Sequence, residues 1–396
     1  MRKPQSWRYA KNQHSSAKRW LVEHQIGIAD RDVVGLCLAL LTPLIIAQCT
    51  PITRSSATKF TFLSYYDPVT EEYGVGSDDN YLVITLIVVL CGLRDATMRF
   101  ILALVATACG LSKGKSVRFK EQAWMVIYYL TSWSVGMSIY ITSPYWFDLE
   151  EIWTGWPNRE LSGLMKKYML AQLAFWLQQI IVIHIEKRRR DHWQMLSHHV
   201  ITIALIYGSY RYGLTRIGHV VLILMDFNDL IFSGAKCLKY LRLQTLCDTM
   251  FGVFVVSWIL NRHVAFPMVC WSLYTHSLSI TGSNCYFGSG KNVVGPVSVP
   301  RNDGYYYLVE PLVYDSGRVC FNYTIRTLFL GGLLFLEGLM MVWFVMIVKL
   351  IVRVVRGENA QDTRSDAEED EHDITLPIKL EIGAEKLDLV PQPSVA

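Results

Sequence analysis

The sequence predicts an all-α membrane protein with about eight transmembrane helices. Of its 396 residues, 52% are hydrophobic, and they are grouped in blocks of about 17 to 25 residues, the length that spans a bilayer. Basic residues are concentrated in short segments between these blocks, as in cytosolic loops. The net charge of +4 therefore reflects membrane topology, and we expect no nucleic-acid partner.

The blocks divide the chain into four parts. Residues 1–31 form an N-terminal segment, 32–118 hold the first two membrane helices, and 119–356 hold the other six with a long loop at 261–326. Residues 357–396 form a tail. The predicted crossings are 33–49, 81–111, 123–141, 168–185, 193–210, 217–235, 247–260 and 327–351.

Charge predicts the orientation of these crossings. Residues 1–31 carry seven Lys and Arg, which favours the cytosol. The loop at 50–80 has five acidic and two basic residues, so we expect it in the lumen, together with the loop at 261–326. Both termini are then cytosolic.

The tail differs in composition from the rest of the chain. Residues 357–396 contain eleven acidic and three basic residues, which predicts a disordered segment. Thr363 and Ser365 each have an acidic residue three positions later, the pattern that acidophilic kinases recognise. We therefore expect phosphorylation there; a tail that only improves solubility is the alternative.

Cys285 and Cys320 lie in the predicted lumenal loop, outside the apolar crossings that hold most of the other seven cysteines. Because thiols pair readily in an oxidising compartment, Cys285 and Cys320 are predicted to form a disulfide, with two unpaired thiols as the alternative. The cysteines show no CxxC pair or zinc-binding spacing.

Two neighbouring apolar segments carry ionisable residues. His198 and His199 are adjacent in one, and Asp226 and Asp229 are three residues apart in the next. Such groups are costly in hydrocarbon and normally face a protein-lined cavity. Residues at i and i+3 project from one side of a helix, whereas adjacent side chains point about 100° apart, so we expect at most one histidine to face the cavity squarely.

The residues alone leave three interpretations of the histidines open. They can be satisfied core residues, metal ligands, or acid/base or nucleophilic groups oriented by Asp226 or Asp229, as in a catalytic triad. Membrane di-iron enzymes use HxxxH and HxxHH spacings, and the histidines of this region show neither. We therefore expect no metal.

A family resemblance favours the third interpretation. The segments RRRDHWQMLSHH (188–199) and LMDFNDLIFSGAK (224–236) resemble the longevity-assurance motif of the ceramide synthases, which belong to the membrane TLC-domain proteins. The flanking segments VRFKEQAW (117–124) and SPYWFDLEEIWTGWPNRELSG (143–163) are similar to the fungal branch.

This resemblance implies a TLC-type helical barrel around a catalytic cavity within residues 119–356. The implied reaction is transfer of a fatty acyl group from acyl-CoA to the amine of a sphingoid base, dihydrosphingosine or phytosphingosine. His198, His199, Asp226 and Asp229 are then the catalytic candidates, and no cofactor is needed because acyl-CoA is a substrate. The CoA phosphates are expected on a basic cluster, Lys187, Arg188, Arg189 and Arg190; the alternative is that these residues only anchor the cytosolic side of the membrane helices.

The resemblance also implies a place in the endoplasmic reticulum membrane, among membrane lipids. A small single-pass accessory subunit, and a dimer of the chain with itself or with a paralogue, are open expectations. Two alternative functions are retained, a non-enzymatic TLC-domain lipid sensor and a sphingolipid transporter.

Overall fold

The computed structural model describes residues 32–185, 191–288, 293–298, 304–315 and 317–356. The chain divides into two compact units, 1–349 and 350–396. In the second unit the described residues are 350–356, which continue the last helix as far as Val355.

Helices dominate the described part of the chain. In chain order they are α1 Val33–Cys49, α2 Pro51–Thr61, α3 Asp79–Ala96, α4 Leu102–Ala108, α5 Lys113–Ile141, α6 Gly163–Ile185, α7 His192–Arg211, α8 Thr215–Tyr240, α9 Gln244–Trp258, α10 Phe266–Thr275, α11 Ser277–Thr281, α12 Glu310–Val313 and α13 Tyr323–Val355. Two stretches of π-helix, Thr97–Ile101 and Ile259–Ala265, join α3 to α4 and α9 to α10.

Five helical spans among the described residues are long and apolar enough to cross a membrane. They are Asp79–Ala108, Gly163–Ile185, Thr215–Tyr240, Gln244–Thr281 and Tyr323–Arg353. α1 is apolar but has 17 residues, and α5 and α7 occupy the two other predicted crossings. A helix therefore lies at every predicted crossing, and the number that spans the bilayer stays a prediction.

The predicted loop at 261–326 begins too early, because helix continues to Thr281. Two polar residues near the predicted loop start have partners within the bundle: Arg262 pairs with Asp229, and His263 Nδ1 lies 2.8 Å from Glu337 Oε1. Polar side chains with such partners can remain within an apolar helical stretch.

Two small sheets depart from the all-α prediction. Strands β1 Tyr66–Asp67 and β2 Glu72–Tyr73 form an antiparallel pair. In the second sheet, β3 Asn284–Phe287 lies between β4 Val294–Ser298 and β5 Val319–Phe321. Both sheets lie between helices, where short extended segments satisfy their backbone groups by pairing with each other.

The disulfide predicted from the sequence is present in the second sheet. Cys285 of β3 is directly opposite Cys320 of β5, and their sulfurs are bonded. Both residues are completely buried. The bridge joins β3, which follows α11, to β5, which precedes α13.

The central helices approach one another closely. α8 packs against α5 and α9, while α6 packs against α3 and α7. At Gly136 of α5, an added Cβ would lie 2.9 Å from the Tyr168 hydroxyl and 3.1 Å from a side-chain carbon of Ile223. Only glycine permits α5, α6 and α8 to meet this tightly.

A buried arginine secures the connecting segments at the end of α7. Arg211 donates from Nε to the Pro311 carbonyl at 2.7 Å and lies 3.3 Å from the Asp315 carboxylate. Arg159 donates to the Asp315 carbonyl at 3.0 Å. These bonds hold residues 311–315 against that end of the helix bundle.

Candidate active site

A largely apolar cavity of about 60 Å³ lies within the helix bundle. The residues on its wall are Trp176, His198, Thr202, Leu205, Ile206, Ser209, Leu214, Ile217, Gly218, Val221, Leu222, Met225, Asp229, Arg262, Leu273, Phe329, Leu333, Leu336 and Met340. Aliphatic side chains dominate this wall, as expected of a site for a hydrocarbon chain.

The cavity runs parallel to α7. Wall residues on this helix extend from His198 to Ser209, which corresponds to about 16 Å at 1.5 Å per residue. The ring of His198 is 5.4 Å from that of Trp343, whereas the ring of Phe329 is 5.7 Å from that of Tyr212. Phe329 packs next to Gly208, ten residues after His198 on α7, so His198 and Phe329 line separate parts of the cavity.

His198 has a buried nitrogen on the cavity wall. Its Nδ1 has no hydrogen-bond partner among the described residues. The ring is fixed by edge-to-face contacts with Trp176 and Trp343, with centroid distances of 5.5 Å and 5.4 Å. The imidazole is thus held in place by packing, and its Nδ1 is buried without a partner among the described residues.

His199 is oriented differently and is not on the cavity wall. Its Nδ1 is 2.7 Å from the carbonyl oxygen of Met195. Because a carbonyl can only accept, Nδ1 must carry the hydrogen, and in the neutral ring Nε2 then bears the lone pair. The two adjacent histidines therefore occupy different environments, as helix geometry predicted.

Asp226 faces α5 and α6 instead of the cavity. Its Oδ2 accepts hydrogen bonds from Ser132 Oγ at 2.7 Å and from Gln172 Nε2 at 2.6 Å. The residue is completely buried. These bonds connect α8, which carries Asp226, to α5 and α6.

Asp229 does lie on the cavity wall. Its Oδ1 accepts from Arg262 Nη2 at 2.8 Å, and 27% of its side chain remains exposed. In the residues that the structure describes, neither aspartate is hydrogen-bonded to a histidine. The two carboxylates, although three residues apart, reach different helices, so a direct Asp–His pair of the triad kind is not formed here.

Sequence reasoning missed several polar residues of the site. Arg262 was assigned to a loop, and Ser132, Gln172 and Thr202 were not singled out. Arginine inside a long apolar stretch is costly, so Arg262 itself carried a signal. The others are ordinary polar residues whose role depends on neighbours distant in sequence.

Three buried polar atoms of the cavity wall lack hydrogen-bond partners in the described ranges. They are His198 Nδ1, Thr202 Oγ1 and Arg262 Nε. Buried polar groups are nearly always satisfied, and exceptions often mark functional sites. Their presence on an otherwise aliphatic wall is typical of a cavity that binds a chain with a polar end.

Some predicted residues lie outside the described part of the chain. These are the basic cluster Lys187, Arg188, Arg189 and Arg190, and the predicted phosphorylation sites Thr363 and Ser365. Among the described residues no group of three or more His, Cys, Asp or Glu could hold a metal ion.

Comparison with known proteins identifies relatives along most of the chain. The family model of the TLC domain matches residues 118–349. The chain is 43% identical over 335 residues to Ceramide Synthase FUM18 of Gibberella moniliformis, covering 84% of this chain and 77% of that protein. It is 44% identical over 353 residues to Sphingosine N-acyltransferase-like protein ALT7 of Alternaria alternata, covering 88% and 77%.

A third relative is more distant. Sphingosine N-acyltransferase lag1 of Schizosaccharomyces pombe is 37% identical over 338 residues, covering 85% of this chain and 80% of that protein. The TLC-domain match at 118–349 includes the cavity wall and the segments that carry both histidines and both aspartates.

Proposed function

The chain belongs to the TLC-domain family, and from its relatives and its cavity we infer that it is a ceramide synthase, a sphingosine N-acyltransferase. Its substrates are a fatty acyl-CoA and a sphingoid base. The relatives named for this activity match more than four fifths of the chain. The function therefore applies to the whole membrane domain and not to an isolated motif.

The observation that carries the mechanism is the buried Nδ1 of His198 on an apolar cavity wall. A thioester is already activated, but the sphingoid amine arrives largely as an ammonium and must lose a proton before it attacks. We propose that His198 accepts that proton, or first accepts the acyl group as an acyl-imidazole. In either route the new amide C–N bond replaces the C–S bond, and CoA leaves as its thiol.

His199 supports this role by its tautomer. Because its Nδ1–H donates to the Met195 carbonyl oxygen, its Nε2 has a lone pair that can accept a proton, or a hydrogen bond from a substrate hydroxyl. Asp226 and Asp229 act through neighbours in this proposal, Asp226 through Ser132 and Gln172, and Asp229 through Arg262.

The substrates would enter with their chains along the cavity. Its aliphatic wall suits the acyl chain, and the wall residues on α7 extend from His198 to Ser209. We propose that Lys187 and Arg188 to Arg190 bind the CoA phosphates, since they precede the first turn of α7 and cations pair strongly with phosphate. Dihydrosphingosine or phytosphingosine is the proposed base.

The remaining proposals concern the setting of the enzyme. We propose eight crossings arranged as a TLC-type barrel in the endoplasmic reticulum membrane, with both termini in the cytosol. Positive residues flanking the crossings support this orientation. Phosphorylation of Thr363 or Ser365 would regulate the enzyme, and an accessory subunit or a dimer stays an expectation of the family resemblance.

The test is ceramide formation by purified protein in detergent. Parent protein with acyl-CoA and dihydrosphingosine or phytosphingosine should yield ceramide, detected by mass spectrometry. A transporter or a sensor would give no ceramide, because neither forms the amide bond. Transport itself has no meaning in detergent, where no membrane separates two compartments. Folded, monodisperse protein that forms no ceramide with any chain length or base would refute the proposal.

A further inference from the structure

Arg262 is a buried cation in the middle of an apolar helical span. It is 3% exposed and lies in the π-helical stretch Ile259–Ala265 within the span Gln244–Thr281. A charged side chain at this depth is expensive, and a π-helical turn is itself uncommon and frequent at functional sites. Two costly features at one position indicate a role for the side chain.

Its guanidinium is held on two sides. The group lies over the Trp258 ring, with its central carbon 4.3 Å from the ring centroid, and Nη2 donates to Asp229 Oδ1 at 2.8 Å. A cation stacked on an aromatic face and paired with a carboxylate has little freedom to rotate. The direction of its remaining N–H groups is therefore preset.

One of those N–H groups has no partner in the described structure. Arg262 Nε is buried and makes no hydrogen bond there, although the residue is on the cavity wall that also contains His198. Arg262 is the one Lys or Arg on that wall among the described residues. The wall thus has a fixed positive charge next to the space where the proposed acyl transfer takes place.

Acyl transfer requires such a donor. When the amine nitrogen, or a histidine nitrogen, attacks the thioester carbon, the carbonyl electron pair moves onto oxygen and forms an oxyanion. Collapse of this intermediate restores the C=O bond and expels the CoA thiolate, which then takes up a proton. Preorganised donors at the developing oxyanion typically contribute about 10²- to 10³-fold in kcat.

Resting on the proposed function, we propose that Arg262 is a catalytic residue that donates a hydrogen bond from its guanidinium to the oxygen of the transferred acyl group. Asp229 is then a positioning residue, because its carboxylate fixes the guanidinium. This gives separate tasks to the polar residues of the wall: His198 handles the proton or the acyl group, and Arg262 stabilises the oxyanion.

A purely structural ion pair is the competing explanation, and a matched control separates the two. Arg318 is also buried, at 7% exposure, and pairs with Glu310 at 3.1 Å, but it is not on the cavity wall. Arg318→Gln should therefore lower the melting temperature and leave kcat per folded molecule unchanged. It shows what loss of a buried ion pair does by itself.

The experiment compares parent, R262K, R262Q, the double variant R262Q/D229N and R318Q in detergent, with kcat, KM and melting temperature measured for each. We expect R262Q to lose about 10²- to 10³-fold in kcat with KM for acyl-CoA within a few-fold of the parent. R262K should retain more activity, because it keeps a cation that can donate. The double variant, which removes both charges, should recover thermal stability but not kcat.

Two results would overturn the proposal. One is R262Q with kcat within about threefold of the parent. The other is recovery of kcat together with stability in the double variant, which would assign Arg262 a structural role alone. If R262Q does not fold, R262K and the double variant still decide between the roles. An inactive parent would instead refute the proposed function, so the two failures are distinguishable.

Discussion

Replacing Phe329 by alanine should shift the enzyme toward longer acyl chains. Phe329 lies on the cavity wall beside Gly208, ten residues after His198 on α7. Its ring packs so closely on α7 that a Cβ added at Gly208 would lie 3.2 Å from Phe329 Cζ. Removing the ring extends the apolar space there, and the reacting end of the substrate stays at His198.

The magnitude follows from burial of methylene groups. Each additional CH₂ that the enlarged cavity buries is worth about 0.8 kcal/mol, or about fourfold in kcat/KM at ~1.4 kcal/mol per tenfold. Lengthening the chain by two carbons should therefore change the preference by about 15-fold relative to the parent. The reverse change, Val221→Phe, fills the middle of the wall and should favour shorter chains.

The assay is competition between acyl-CoA substrates of different length, with the ceramides quantified by mass spectrometry. Phe335→Ala is the matched control, because Phe335 is on the same helix but 47% exposed and not on the wall; its product profile should equal that of the parent. An unchanged profile in folded Phe329→Ala, with normal turnover, would refute the assignment of this part of the cavity to the acyl chain.

Three further predictions test the site and the connecting segments. His198→Ala should lower acyl transfer by about a hundredfold or more, the effect of removing an acid/base group, with normal membrane levels; near-parental turnover would exclude it from catalysis. Replacing Cys285 and Cys320 by serine should destabilise the protein by about 3–4 kcal/mol in the chain-entropy model, since the bridge closes a separation of 35 residues. Thermal melting measures this, and free-thiol labelling of both cysteines in native membranes would contradict the pairing. Burial alone raises the pKa of Asp315, but hydrogen bonds led by that from Ser77 outweigh burial and lower the pKa overall. A lowered folded-state pKa means that this stabilisation is complete above the unfolded value near 4 and is lost as the pH falls through the folded value. The melting temperature of Asp315→Asn should thus depend less on pH in this acidic range, and equal pH dependence in both proteins would contradict the reasoning.

The positions of the long helices were predictable because their signal is local. Apolar blocks such as 168–185 and 327–351 have the length and hydropathy of membrane spans, and helices lie at both. The error at 261–281 has the opposite origin. Arg262 lies within this helical stretch and is paired with Asp229, 33 positions earlier in the chain, a contact that no local pattern shows.

The candidate site was likewise predictable only where its signal is local in the sequence. Sequence patterns identified His198, His199, Asp226 and Asp229 as costly polar groups in apolar segments, and helix geometry predicted that the two histidines would diverge. The expected Asp–His pairing is not among the described contacts, because the direction of each carboxylate depends on α5, α6 and the π-helical stretch. No spacing within the motif encodes those neighbours.

The sequence by itself determined that this is a helical membrane protein of the TLC-domain family, since hydropathy, charge distribution and motif spacing depend on residues close together in the chain. Tertiary structure decided which polar groups share the cavity. Packing placed His198, Asp229 and Arg262 on one wall and turned Asp226 toward Ser132 and Gln172. The physical reason is that buried polar groups must find partners wherever the fold provides them, and those partners come from helices distant in sequence.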